Sequence, residues 1–107
     1  MKVKKLKKWK NFMLDAIYAI SNSDETPNYR NKAIVILTYL IFNMKEDETE
    51  ISISSTDISN NLNISNSHLK RSIVLLEDLG FVKRVQDKGA GNRKIFIIPQ
   101  LEEIYKD

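Results

Sequence analysis

Five polar residues stand close together in the C-terminal half of the chain, and all of them can hydrogen-bond to nucleic-acid bases or phosphates. They are Asn66, Ser67, His68, Lys70 and Arg71. An Asn amide can bind adenine through two hydrogen bonds, and an Arg guanidinium can bind guanine in the same way. Ser, His and Lys side chains can contact either bases or phosphates. These residue types suit a surface that contacts duplex DNA, provided that one element presents them together.

The spacing of apolar residues predicts a helix that presents these side chains on its outward face. Ser65 can cap the start of this helix, and Gly80 can end it. An inward stripe at i, i+4, i+7 and i+10 is formed by Leu69, Ile73, Leu76 and Leu79.

A second, shorter helix and a tight turn are predicted just before it. Ser54 and Asp57 form a capping-box pattern, with a hydroxyl at the helix start and a carboxylate at its positive end. Asn63 stands at the turn, where a left-handed backbone is needed and Asn is the best residue after Gly. The inward positions are Ile58, Leu62 and Ile64, and the small Ser59 allows close approach of the helices. These offsets predict a helix-turn-helix, whose second helix meets base edges in the major groove.

A basic β-hairpin is predicted after the helix-turn-helix. Two β-rich runs, 81–86 and 93–98, flank the loop 87–92, in which Gly89 and Gly91 permit a tight backbone. Asp87 is the only acid beside five cations: Lys83, Arg84, Lys88, Arg93 and Lys94. Such a ribbon would bind phosphates or place Lys88 or Arg93 in the minor groove. The Gly-containing loop lacks the strand-then-helix context and the Gly-Lys-Ser/Thr ending of a nucleotide-binding loop.

Two further helices are predicted upstream. Apolar residues at positions 3, 6, 9, 13, 16, 17 and 20 predict an amphipathic helix over 3–20 with lysines on its far face. A polar loop containing Pro27 as a stop signal follows. The next helix, over 29–44, is apolar on nearly every side, which indicates deep burial or a second partner surface. Its β-branched residues also suit a strand, but its length and flanks favour a helix. A charged turn over 45–50 leads to a short strand over 50–54.

Positive charge is gathered in two places although the net charge is only +3. Residues 66–94 hold seven basic and three acidic residues, whereas residues 11–62 hold three basic and eight acidic ones. The first ten residues contain six lysines and no acid: Lys2, Lys4, Lys5, Lys7, Lys8 and Lys10. This decad could be a DNA-binding arm, a segment that touches anionic membrane through Trp9, or the solvated face of a dimerisation helix.

Composition excludes several other classes of protein. The chain has 107 residues, no cysteine and one histidine, so it is expected to be one domain without disulfides, a metal site or a cofactor. No apolar run is long enough to span a bilayer, and no signal-peptide pattern is present, so a cytoplasmic protein is expected. Neither paired carboxylates in an apolar setting nor a nucleophile motif occurs, and we expect no enzymatic activity.

The segment 51–99 resembles the winged helix-turn-helix superfamily, in the layout of MarR-like and ArsR-like proteins. The resemblance is carried by "TDISNNLNIS", "NSHLKRSIVLLEDLGFV" and "VKRVQDKGAGNRKIFIIP" in that order. The upstream "WKNFMLDAI" and the ending "IFIIPQLEEIY" also resemble RepL-type plasmid replication proteins and small plasmid-segregation adaptors. Asn63 replaces the Gly usual at the turn. The absence of the Cys and His ligands of metal sensors speaks against metal sensing.

The resemblance implies a mainly α fold with a small β-hairpin, in the order α-α-β-α-α-β-β(-α). Residues 1–46 would form dimerisation helices, 51–99 the DNA-reading unit and 100–107 a short C-terminal helix. It implies DNA contacts at the five polar residues above and at Arg84, Lys88, Arg93 and Lys94. The expected function is sequence-specific binding of double-stranded DNA by a homodimer that regulates transcription. Plasmid replication or segregation on iterated sites, with a recruited protein, is one alternative. A winged-helix protein-interaction module that never touches DNA is the other.

Overall fold

The structure, a computed structural model, describes residues 3–89, 91 and 93–106, and these form five helices and three strands. In chain order the elements are α1 (Val3–Ser21), α2 (Pro27–Asn43), β1 (Glu50–Ser54), α3 (Ser55–Leu62), α4 (Asn66–Asp78), β2 (Lys83–Gln86), β3 (Arg93–Ile97) and α5 (Gln100–Tyr105). The prediction of a mainly helical fold with a small β-hairpin is confirmed. The predictions that involve Lys2, Ala90, Asn92 and Asp107 fall outside the described residues.

The three strands form an antiparallel sheet in the order β1-β3-β2. Opposite Cα partners include Ile53 with Lys94, and Val85 with Ile95. Because side chains alternate between the two faces of a sheet, Ile53 and Phe96 share the inner face, where both are buried. The strand predicted over 50–54 therefore pairs with the second strand of the hairpin and ties it to the helices.

Helix α1 follows its predicted apolar stripe in part, because Ala16 and Ile20 are buried and Trp9 and Met13 pack against the core. Phe12, Ala16 and Ile20 are its buried residues, whereas Val3, Leu6 and Ile17 from the predicted apolar stripe are exposed. The lysines are also not confined to the far face. Lys8 Nζ donates to the carbonyl oxygens of Glu103 (3.0 Å) and Lys106 (3.1 Å), because α5 packs beside this helix.

Helix α2 begins two residues earlier than predicted, so the assignment of Pro27 as a loop stop signal is wrong. Pro27 is the first residue of α2, where its fixed φ suits the helix and its missing N–H removes no hydrogen bond. The predicted apolar character on several sides is present. Four residues of α2 are buried, namely Ala33, Ile36, Leu37 and Leu40, while Val35 and Phe42 are 47% and 81% exposed.

The caps and the turn between α3 and α4 are confirmed. The hydroxyl of Ser54 accepts from the backbone N–H of Asp57 at 3.1 Å, and that of Ser65 accepts from His68 at 3.4 Å. Asn63 has left-handed dihedrals (φ 53°, ψ 47°), and Gly80 follows α4 with φ 84°. The hydroxyl of Ser59 donates to the carbonyl of Ile64 across the turn. These local bonds fix the angle at which α4 leaves the turn.

Candidate nucleic-acid interface

The predicted contact residues of α4 are spread over two flanks of the helix, since successive residues are 100° apart. Asn66, Ser67 and Lys70 are exposed. Asn66 and Lys70 lie on the flank that faces β2. Arg71 and His68 lie on the opposite flank, toward α2, and Ser67 lies between the two sets.

A groove of about 310 Å³ separates α4 from the start of α3 and from β2. Its polar lining consists of Ser55, Thr56, Asn66, Lys70 and Arg84, with Leu69 and Ile73 also contributing. Arg84 Nη2 is 2.7 Å from Glu77 Oε1, so this ion pair connects β2 to α4. The groove brings cations of the helix and of the hairpin to one place.

The other flank of α4 is occupied by a cluster around Arg71. Arg71 Nε and Nη2 each donate to a carboxylate oxygen of Glu25 at 2.8 Å, and the guanidinium carbon lies 4.0 Å from the centre of the Tyr29 ring. The hydrogen bond from Arg71 lowers the pKa of Glu25, and the same bond raises the pKa of Arg71. The two groups therefore form an ion pair joined by two hydrogen bonds, in which Arg71 stays half-exposed.

His68 does not lie on the outward face where it was predicted. Its ring packs edge-on against Tyr29, with 5.2 Å between centroids, and Lys32 Nζ lies 2.7 Å from its Nδ1. Because an ammonium can only donate, this contact is a hydrogen bond when Nδ1 of His68 is the acceptor nitrogen of the ring. The reason for the orientation is geometric: position 68 is 200° from position 66 around the helix, so it faces α2.

The hairpin cations fall into two groups. Lys83 and Lys88 are exposed. Lys94 instead donates to Gln86 Oε1, and Arg93 donates through Nε to Ser52 Oγ (3.2 Å) and through Nη2 to Ser52 O. Arg93 is thus directed toward β1.

Asp87, the one acid of the hairpin, stabilises its turn. Ser52 Oγ donates to one carboxylate oxygen and the Gly89 N–H donates to the other at 3.2 Å. These bonds lower the pKa of Asp87, with the Ser52 hydroxyl the larger cause. Asp87 is therefore directed toward β1 and the turn rather than toward Lys83 or Lys94.

The described lysines of the N-terminal decad lie away from this surface. Lys5 Nζ is 3.8 Å from Asp47, in the turn before β1, and Lys8 contacts α5. Glu25, which contacts α4, follows the other end of α1. Because an α-helix rises 1.5 Å per residue, Lys5 and Lys8 lie about 20–24 Å along α1 from its C-terminal end at Ser21.

Five residues of this surface were not predicted from the sequence to belong to it. Glu25, Tyr29 and Lys32 come from the loop after α1 and from α2, and Ser55 and Thr56 come from the start of α3. A partly buried acid or aromatic residue about forty positions away carries no local pattern that relates it to α4. Their participation depends on how α2 packs against α4.

Comparisons with protein-family models, with curated proteins and with solved structures find no match to this chain. Within the described residues no group of three or more His, Cys, Asp or Glu side chains is placed to hold a metal ion. None of the described helices combines the length and the apolar character needed to cross a membrane. The function is therefore inferred from the residues of the surface itself.

Proposed function

We propose that this chain binds double-stranded DNA sequence-specifically as a winged helix-turn-helix protein. In this proposal the N-terminal half of α4 enters the major groove, and the β2–β3 hairpin, the wing, contacts the neighbouring backbone. The observation that carries the proposal is the groove in which Asn66 and Lys70 of α4 lie beside Arg84 of the wing. The element order α-α-β-α-α-β-β-α, which is the order the resemblance implies, supports it.

The charges of the surface suit a polyanion. Lys70, Lys83 and Lys88 are exposed, and none of them forms an ion pair with an acid of the described residues. Each phosphate contact releases counterions, so three contacts per protomer predict that log K falls with log salt at a slope of about −3. Arg71 and Arg84 contribute less to this slope, because Glu25 and Glu77 already neutralise them.

The proposal includes a homodimer formed through α1 and α2. Lys5 is close to Asp47 and Arg30 Nη1 donates to Ser21 O, so the two helices pack antiparallel. Val3 and Leu6 therefore lie at the same end of the helix pair as Phe42, and all three are exposed. Apolar surface of this kind suits a second copy of the chain, and a two-fold dimer would place two α4 helices on a palindromic site.

Transcription regulation is the role we propose for this binding. A lone palindrome overlapping a promoter, located by footprinting on the DNA that carries the gene, is the expected result. Iterated sites would instead assign the chain to plasmid replication or segregation.

The test is duplex binding across a salt series by the wild-type chain and by two double variants. K70A/K88A removes two exposed cations of the surface, and we expect it to weaken binding and to reduce the salt slope by about 2 per protomer. K45A/K106A is the matched control, because it removes the same charge from exposed lysines near the decad. Two results would contradict the proposal: wild-type protein without salt-sensitive duplex binding, or equal losses in both variants. The first would favour a protein-interaction module.

A further inference from the structure

Arg71 is paired with Glu25 and lies against Tyr29, yet its side chain remains 53% exposed. The hydrogen bonds to Glu25 use Nε and one N–H of Nη2, which form the side edge of the group. The end-on edge, made of Nη1 and the second N–H of Nη2, is directed away from that carboxylate because the guanidinium is planar. The Tyr29 ring lies against the same group, with 4.0 Å between the guanidinium carbon and the ring centre.

The end-on edge of the guanidinium matches the geometry of one kind of partner. Guanine presents O6 and N7 side by side in the major groove, and a guanidinium binds them through two parallel hydrogen bonds. A phosphate is attracted mainly by net charge, which Glu25 has already neutralised at this position. The neutral acceptors of a base are therefore favoured over a phosphate.

We propose that Arg71 reads a guanine in the major groove and that Glu25 and Tyr29 are positioning residues that hold its guanidinium ready for that base. This inference rests on the proposed function and adds the identity of one base to it. Glu25 acts in two ways. It orders a long side chain before binding, a step that otherwise costs about 2- to 10-fold in affinity. It also repels the DNA backbone when no guanine contact compensates, which lowers binding to unrelated sequences.

The experiment uses duplexes selected by the wild-type chain from a pool of random sequences. Each guanine of the selected site is replaced in turn by adenine, with its pairing partner, or by 7-deazaguanine, which lacks the N7 acceptor. We expect one guanine per half-site whose replacement by adenine weakens wild-type binding about 5- to 150-fold. The 7-deaza replacement should weaken it by a smaller factor at the same position. R71A should bind all three duplexes with affinities within about 2-fold of one another.

E25Q separates positioning from charge. This variant keeps Arg71 but replaces the carboxylate, so it should lose at least about 5-fold of the discrimination between guanine and adenine. It should also bind unrelated duplexes more tightly, with a salt slope steeper by about 1 per protomer, since Arg71 becomes free for phosphate. D24N is the matched control, because it makes the same charge change at the exposed neighbouring residue, and it should keep wild-type discrimination.

The outcomes distinguish this inference from the proposed function. If wild-type protein binds no duplex, both are wrong. If it selects a site but E25Q retains full guanine discrimination, DNA binding stands and the positioning role is overturned. A site whose guanines are all insensitive to R71A would overturn the base assignment in the same way.

Discussion

Phe42 is the most informative residue for testing the proposed homodimer. It lies near the C-terminal end of α2 and is 81% exposed, although the exposure of an aromatic side chain to water is unfavourable in free energy. Replacing it by Ser should dissociate the dimer without disturbing the protomer. The substitution removes apolar surface from the proposed interface and leaves the buried core unchanged.

The magnitude follows from the exposure of the side chain. Full burial of a Phe side chain is worth about 1.5–3 kcal/mol, and a two-fold interface contains the residue twice. F42S should therefore weaken association by about 3–6 kcal/mol, which is on the order of 10²- to 10⁴-fold in Kd. The free energy of unfolding of the monomer should change by under about 0.5 kcal/mol, since the residue is exposed in the protomer.

Sedimentation equilibrium over the micromolar range measures the effect, and urea denaturation of the monomeric species checks the fold. V85S is the control, because Val85 is an apolar residue on β2 that is also partly exposed but lies outside α1 and α2. Wild-type protein that is monomeric throughout this range would refute the proposed dimer. An F42S chain that dimerises with the wild-type Kd would refute the role of Phe42.

Two further predictions concern the turn and the cluster around Arg71. N63A should lower the free energy of unfolding by about 1 kcal/mol in urea denaturation, because Ala is strained at φ 53°. N63G should stay within about 0.5 kcal/mol of wild type, since Gly adopts this conformation readily. Equal losses in the two variants would contradict this account of the turn. R71A should raise the pKa of Glu25 toward its ordinary value of 4.5, as measured by NMR titration of the side-chain carboxyl carbon. In wild type the lowered pKa of Glu25 stabilises the folded state above about pH 4.5, and this stabilisation is lost as the pH falls through the pKa of the folded state. R71A should make that loss smaller, although the Thr26 N–H still donates to the carboxylate. An unchanged titration of Glu25 would show that Arg71 does not hold the carboxylate in solution.

The parts of the fold that could be predicted from the sequence are those fixed by a few neighbouring residues. Ser54 and Ser65 cap their helices because a hydroxyl and the backbone N–H three residues later are brought together by the helix itself. Asn63 and Gly80 take left-handed conformations that few other residues tolerate. Such features need no knowledge of the remaining fold.

The parts that could not be predicted depend on packing between distant segments. Apolar residues occur on several sides of α1, so the spacing alone did not determine that Phe12 rather than Ile17 faces the core. Pro27 can end one element or begin the next, and only the helix that follows decides between them. The contacts of His68 with α2 have the same origin, because the side to which α2 packs is not encoded in the local sequence of α4.

Helix α2 connects the DNA binding and the dimerisation that we propose for this chain. Its N-terminal turns hold Arg71 and His68 of α4 through Tyr29 and Lys32, and its C-terminal end carries Phe42. A helix of 17 residues is a rigid spacer of about 25 Å, so in the proposed dimer a second copy that covers Phe42 would also determine how far apart the two α4 helices lie. A two-fold dimer that reads successive major grooves needs a separation of about 34 Å. Loss of the dimer in F42S should therefore leave the contacts within one half-site unchanged, while the dependence of affinity on the spacing between half-sites disappears.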